Sequence, residues 1–251
     1  MSCSRHDLRL YLDKLLSPAR YQDYCPNGLQ VEGKSQIERL ITGVTACQAL
    51  IDAAIAARAD AILVHHGFFW RSEDPVVVGM KARRLRALMT NEVNLFAYHL
   101  PLDCHPELGN NAQLGRLMGV PKATHLDPAD PSLPLFSGEL EEPAPISSFA
   151  EHLSLQLGRE PLVVGDGAVQ KIAWCTGGGQ NYIDKAADAG ADLYVTGEVS
   201  EQTIHSARER GICFIAAGHH ATERYGVQAV GARVAEELGC THQFIDVDNP
   251  A

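Results

Sequence analysis

Short apolar runs and longer amphipathic stretches alternate along most of the chain. The runs fall near residues 39–45, 61–65, 94–99, 134–139, 171–175, 192–196, 212–217 and 242–247. Runs this short and this rich in β-branched residues predict buried strands. Between them, stretches near 47–58, 79–91, 110–118, 147–157, 180–189, 201–210 and 221–238 predict helices. Ahead of these, Ser4 and Asp7 make a capping-box-like start for a helix. Its Leu8, Tyr11, Leu12, Leu15 and Leu16 share one face, and Pro18 ends it. The stretch Tyr24–Gly33 reads as loop, because Pro26, Asn27-Gly28 and Gly33 punctuate it. Strands alternating with helices predict an α/β fold with largely parallel sheets.

The pattern also repeats. A shift of 132 places Gln48, Ile51, Asp52, Ala54, Ala57, Ala59 and Asp60 on Gln180, Ile183, Asp184, Ala186, Ala189, Ala191 and Asp192 without a gap. The flanking runs match in character: Leu40–Val44 with Ile172–Thr176, and Ala61–Val64 with Leu193–Thr196. Two similar α/β halves are therefore expected, 1–125 and 126–251. The join is expected in the proline-rich segment Pro121–Pro134. A ligand site is expected in the cleft between them, since open α/β sheets bind at the carboxyl ends of their strands.

Chemistry collects at those predicted strand ends. His65-His66 closes the run Ala61–Val64 and is followed by Gly67. His219-His220 closes a second run, Ile212–Gly218. Asp103 and Glu223 lie just past comparable ends. Imidazoles and carboxylates gathered at buried strand ends suit a metal site, with one His of the first pair for each of two ions. Glu223 is placed either to bridge two cations or to sit on a helix dipole near its start. His99, four residues before Asp103, is a candidate ligand, orienting group or general acid/base. Pro101 argues that this segment is loop. Glu198, after Thr196-Gly197, is a candidate base near the same cleft. Thr176-Gly177-Gly178-Gly179 lacks the spacing of a nucleotide-binding loop and reads as a tight turn. His205 reads as part of a solvated helix face.

Composition narrows the classes. With 45% hydrophobic residues in 251, the chain can bury one large core or two smaller ones. A net charge of −10 disfavours polyanion partners, and no basic cluster supports nucleic-acid binding. The seven cysteines are scattered, odd in number and without a CxxC pair. That pattern argues against a finger-type zinc site and against a disulfide framework. Cys47, Cys175 and Cys213 read as small buried hydrophobes. The start of the chain carries no apolar leader, and no run reaches the ~18 residues a membrane span needs. A cytoplasmic protein is the expectation.

Several stretches together resemble a known family, the GTP cyclohydrolase I type 2 homologues, or Nif-three-like dinuclear metal-centre proteins. They are Asn27-Gly28-Leu29-Gln30-Val31, Leu63-Val64-His65-His66-Gly67, Tyr98-His99 through Pro101-Leu102-Asp103, Thr196-Gly197-Glu198, and Gly218-His219-His220-Ala221-Thr222-Glu223. The resemblance implies two α/β halves, a metal pair between them, and a toroidal homohexamer. It implies as ligands His65, His66, Asp103, His219 and Glu223, with Glu223 bridging. The family name suggests GTP ring opening. Two functional expectations follow. One is a metal-dependent hydrolase acting on a cyclic amide or nucleotide, with two divalent cations (zinc, iron, manganese or cobalt) and with His99 or Glu198 moving the proton. The other is a non-catalytic metal-binding or metal-delivery factor.

Overall fold

The computed structural model describes residues 2–251, which divide into two compact units. The first comprises residues up to Leu102 together with Val227–Asp248; the second comprises Asp103–Gly226 and Asn249–Ala251. In chain order the first unit contains β1 (Cys3–Ser4), α1 (Arg5–Leu16), β2 (Gly28–Val31), β3 (Gln36–Ile37), β4 (Arg39–Thr45), α2 (Gln48–Ala56), β5 (Ala61–His66), α3 (Gly79–Thr90) and β6 (Asn94–Ala97). A single turn, α4 (Leu100–Asp103), then leads into the second unit. There follow α5 (Asn110–Leu117), β7 (Thr124–His125), β8 (Phe136–Pro145), α6 (Ile146–Leu157), β9 (Leu162–Val164), β10 (Ala168–Cys175), α7 (Ile183–Asp188), β11 (Leu193–Thr196), α8 (Glu201–Arg210) and β12 (Cys213–Ala216). The long helix α9 (His219–Leu238) carries the chain back, and β13 (Thr241–Phe244) closes it.

The α/β class is as expected and the first sheet is largely parallel, but the second sheet is mixed. The first sheet runs β13-β4-β5-β6-β2, parallel except for β2. The second runs β7-β8-β10-β11-β12-β9, and only β10, β11 and β12 are mutually parallel. The strands β2 and β9 were not anticipated. β2 lies inside the expected loop, and β9 is only three residues long. The join also differs from the expectation. Thr124–His125 pairs with β8, so the proline-rich segment belongs wholly to the second unit. β13 adds beside β4, which returns the C-terminal segment to the first unit.

Both sheets contain one and the same β-α-β-α-β run, β4 to β6 and β10 to β12. Ile41 pairs with Ile62, and Ala173 with Tyr194, which are the positions a shift of 132 connects. In each unit one aspartate sets this register. Asp60 Oδ2 accepts the backbone amides of Glu38 and Arg39 at 2.9 and 3.0 Å. Asp192 Oδ2 accepts those of Gln170 and Lys171 at 3.0 and 2.8 Å. The amide of each aspartate donates back to the first strand, and its carbonyl accepts from the third. The Ala-Asp pair of the sequence repeat is thus a three-strand clamp. On one face of the first sheet Ile41, Ile62, Val64 and Leu95 pack with Leu50, Ile51, Leu85 and Leu88 of α2 and α3. In the second unit, Trp174, Val195 and Ile215 belong to one apolar cluster and Ala173, Tyr194 and Phe214 to another, the strand alternation that a sheet covered on both faces requires. Ser4 caps α1 as its sequence predicts, accepting the amide of Asp7 at 3.0 Å. Among the described residues no helix is long and apolar enough to cross a membrane.

Burial pushes the Asp60 carboxyl up, but Lys34 and the two amides outweigh it and hold it below its ordinary value. A depressed carboxylate stabilises the fold fully above its ordinary pKa of ~3.9 and loses that contribution as pH falls through the lower folded value. Asp60→Ala is expected to cost about 2 kcal/mol at pH 7, from two amides left without acceptors. In denaturant titrations the difference from the unmodified chain should shrink as pH drops below ~4; a constant difference would show that the carboxylate charge is not what clamps the strands.

Candidate metal centre

The first unit brings three imidazoles together. β5 ends on His65 and His66, with ring centres 4.4 Å apart. His99, two residues past β6, has its ring 5.0 Å from that of His65 and 5.7 Å from that of His66. Each of the three offers a nitrogen within 4.8 Å of the others. Gly67 makes the turn after the pair. A Cβ there would lie 2.2 Å from Gln30 Oε1 and 2.5 Å from the Cβ of Ala97, so no side chain fits.

Each ring is oriented through Nδ1. His65 Nδ1 lies 3.1 Å from the carbonyl oxygen of Tyr98. A carbonyl only accepts, so Nδ1 carries the proton and Nε2 the lone pair. His66 Nδ1 lies 3.2 Å from Thr45 Oγ1, on the residue opposite it in β4. His99 Nδ1 lies 2.7 Å from Asp23 Oδ1. Asp23 also accepts the amides of Tyr24 and Leu100 and the side chain of Asn27. Burial pushes its carboxyl up, yet His99 and these donors outweigh burial and hold it at about 2. Asn27 Oδ1 accepts the amide of His99, and Gln30 Oε1 accepts that of Phe68. The loop before β2 therefore positions His99, and Gln30 of β2 itself positions the turn after His65-His66.

The second unit brings together two carboxylates and an imidazole. Asp103 ends α4, a helical turn where Pro101 predicted loop. Pro101 is its second residue, where an amide hydrogen has no helical acceptor to lose. Asp103, expected with the first half, falls in the second unit, held there by its neighbours. Its Oδ1 accepts Asn110 Nδ2 at 2.8 Å and the Thr176 hydroxyl at 3.3 Å. Asn111 donates to the Asp103 carbonyl, accepts the amide of Thr176, and takes the Trp174 indole N–H on its own carbonyl. α9 starts at His219, two residues earlier than the expected 221, which puts His219 and Glu223 one turn apart. His219 Nε2 lies 3.2 Å from Glu223 Oε2, and Nδ1 lies 2.7 Å from Glu198 Oε1. Burial pulls the His219 pKa down, but Glu223 and Glu198 outweigh it and raise it to about 9.

The glycine-rich segment is a turn, as expected. The amides of Gly177 and Gly179 are taken by the hydroxyls of Thr222 and Thr196, and so are not offered to an anion. Glu198 is the Nδ1 partner of His219 and also accepts from Gln180. His220 is buried beside His219, and His205 is exposed on α8. Sequence reasoning missed Asp23, Thr45, Asn110 and Asn111. The one available signal was the pair of amides, Asn110-Asn111, at a predicted helix start.

The family model for Duf34/NIF3 (NGG1p interacting factor 3) matches residues 3–250. A Pseudomonas aeruginosa protein named GTP cyclohydrolase 1 type 2 homolog is 59% identical over 240 residues, 95% of each chain. An Escherichia coli K12 protein of the same name is 51% identical over 248 residues, 98% of each chain. Among solved structures, a structural-genomics protein called ybgI, of unknown function, is 50% identical with a TM-score of 0.94, covering 99% of this chain and all of that one. TTHA1606 from Thermus thermophilus is 35% identical with a TM-score of 0.91 over the same coverage.

Gly177 has φ +65, and a Cβ there would lie 2.0 Å from Glu223 Oε1. Gly190 has φ +76 with nothing within 4 Å of the same atom. Gly190→Ala should cost only the left-handed backbone penalty, about 1–2 kcal/mol. Gly177→Ala should cost more and displace the Glu223 carboxylate in a crystal structure. Equal costs with Glu223 unmoved would show that the carboxylate is not held against this turn.

Proposed function

The chain belongs to the Duf34/NIF3 family, and from that premise we propose that it holds two divalent cations on His65, His66, Asp103, His219 and Glu223, Glu223 serving both, and hydrolyses a cyclic amide or nucleotide. One observation supports the ligand set above all. His65, His66 and His219 each engage Nδ1 with a carbonyl, a hydroxyl or a carboxylate, the orienting contact that metal-binding imidazoles make through the nitrogen that does not coordinate. The donor chemistry fits zinc, iron, manganese or cobalt. Bound there, such cations supply Lewis-acid activation of water and of the substrate's polar atom.

The remaining groups handle protons and orientation. Asp23 holds the His99 ring through Nδ1, so His99 exchanges a proton with the reacting group at Nε2. Glu198 keeps Nδ1 of His219 protonated and its ring fixed, an orienting role rather than that of a free base. The name carried by the relatives points to GTP as the first substrate to test. Six copies in a toroidal ring complete the reading. The exposed apolar run Val76-Val77-Val78 with Met80 supplies contact area of the kind a subunit interface uses.

Elemental analysis after metal loading should give two cations per chain; a reproducible value of one or less would overturn the binuclear reading. His65→Ala should lose metal while keeping the melting profile of the apo chain. His99→Ala should keep both cations and lower turnover of GTP or a cyclic amide by about 10²–10⁴-fold. Full metal content with no turnover of any such substrate by the unmodified protein would favour the metal-delivery alternative. Light scattering should return six times the chain mass, and a stable monomer at micromolar concentration would remove the ring.

A further inference from the structure

A second donor group shares His99 with the three-imidazole cluster and brings in a thiol. Asp23, Cys25 and His99 each offer one ligand atom, and these atoms lie within 4.8 Å of one another. They are not surface acids that happen to cluster. The side chains of Asp23 and His99 are 3% and 16% exposed, and Cys25 is 8% exposed. Cys25 is in no disulfide. The loop that carries Asp23 and Cys25 is stitched down from outside. Arg71 donates its amide to the Tyr24 carbonyl and its guanidinium to that of Asp23.

We propose that Asp23, Cys25 and His99 form a separate cation site for zinc or a metal of similar softness, distinct from the five-residue set. Metal–nitrogen and metal–oxygen bonds of about 2.0–2.2 Å and a metal–sulfur bond of about 2.3 Å put the donors of one tetrahedral ion roughly 3.3–3.8 Å apart. Side-chain rotation by a few tenths of an ångström to about an ångström closes the group to that size. Thiolate, imidazole and carboxylate together select zinc or cobalt over magnesium or calcium. The charges also balance: a thiolate and a carboxylate neutralise one divalent ion in a buried place, where an unbalanced charge is costly.

The protons are accounted for. Cys25 gives its thiol proton to solvent on binding. His99 coordinates through Nδ1, the nitrogen beside Asp23, so its ring proton moves from Nδ1 to Nε2. The Nε2 lone pair is then gone, and His99 no longer accepts a proton there. Occupation of this site therefore switches off His99 as a base without touching His65, His66, Asp103, His219 or Glu223.

None of those five residues carries sulfur, which makes the test selective. The full-length protein is loaded with cobalt(II) alone, and its near-ultraviolet absorption is read for a sulfur-to-cobalt charge-transfer band. The band should appear in the unmodified chain, persist in His65→Ala, and vanish in Cys25→Ser with the loss of one cobalt per chain. No band, or a band undiminished in Cys25→Ser, overturns the site. Should Cys25→Ser fail to fold, X-ray absorption of the unmodified zinc-loaded protein decides: a sulfur scatterer at about 2.3 Å supports the site and its absence removes it. Loss of the binuclear reading would show as loss of the sulfur-free cations, with the band unaffected.

Discussion

Parallel strand register is the constraint on which each unit depends. A strand slipped by one residue presents every side chain to the opposite face. In β5 such a slip would exchange His65 with His66 and Val64 with His65. It would also take Thr45 from its place opposite His66. The clamp that prevents this lies at the other end of the strands, where Asp60 ties the amides leading into β4. A strand of six residues spans roughly 20 Å, so a carboxylate at one end fixes the imidazoles at the other through nothing but rigid backbone. Asp192 does the same for β10, β11 and β12, at whose ends Thr176, Gly197 and Gly218 lead into the second donor set.

Much of this was legible from the order of residues alone. The runs 39–45 and 61–65 are strands because they are short, β-branched and bounded by polar residues. The shift of 132 reappears in the pairing of Ile41 with Ile62 and of Ala173 with Tyr194. Asp60 and Asp192 were visible as members of an Ala-Asp pair, but their work as clamps was not. A side chain that bonds backbone about 20 residues earlier leaves no periodic trace. Asp23 was invisible for the same reason: its partner His99 is 76 residues away. Pro101 misled because the rule against proline holds for helix interiors, not for a first turn. β2 was hidden by the very glycine and asparagine that read as loop, and Gly28, at φ +112, marks its start.

The unit boundaries were the hardest part to read. Local composition marked Pro121–Pro134 as a linker, since prolines and small polar residues usually lie between domains. Yet a linker is defined by what fails to pair with it, and Thr124–His125 pairs with β8. The C-terminal strand poses the same problem in reverse. β13 is joined to the first sheet by hydrogen bonds to residues some 200 positions earlier. Pattern along the chain does not show which of two similar sheets a returning strand will choose.

Burying this many polar groups is costly, and the way each is satisfied explains the density of the hydrogen-bond network. Asp103 and Glu223 are nearly inaccessible, and both are carboxylates. Asn110 and Thr176 offset part of the cost at Asp103 by aiming donors at its carboxylate, and Asn111 satisfies its backbone carbonyl. At Glu223 an offset comes from His219, whose pKa Glu223 and Glu198 together raise to about 9, so that the ring carries a proton toward the carboxylate. A divalent cation on the same atoms would do what that proton does, with twice the charge and fixed directions. Orientation through Nδ1 and charge offset at Nε2 are thus one arrangement seen from its two ends. The acidic balance of the whole chain acts in the same direction, since a field that attracts cations is needed before any donor can select among them.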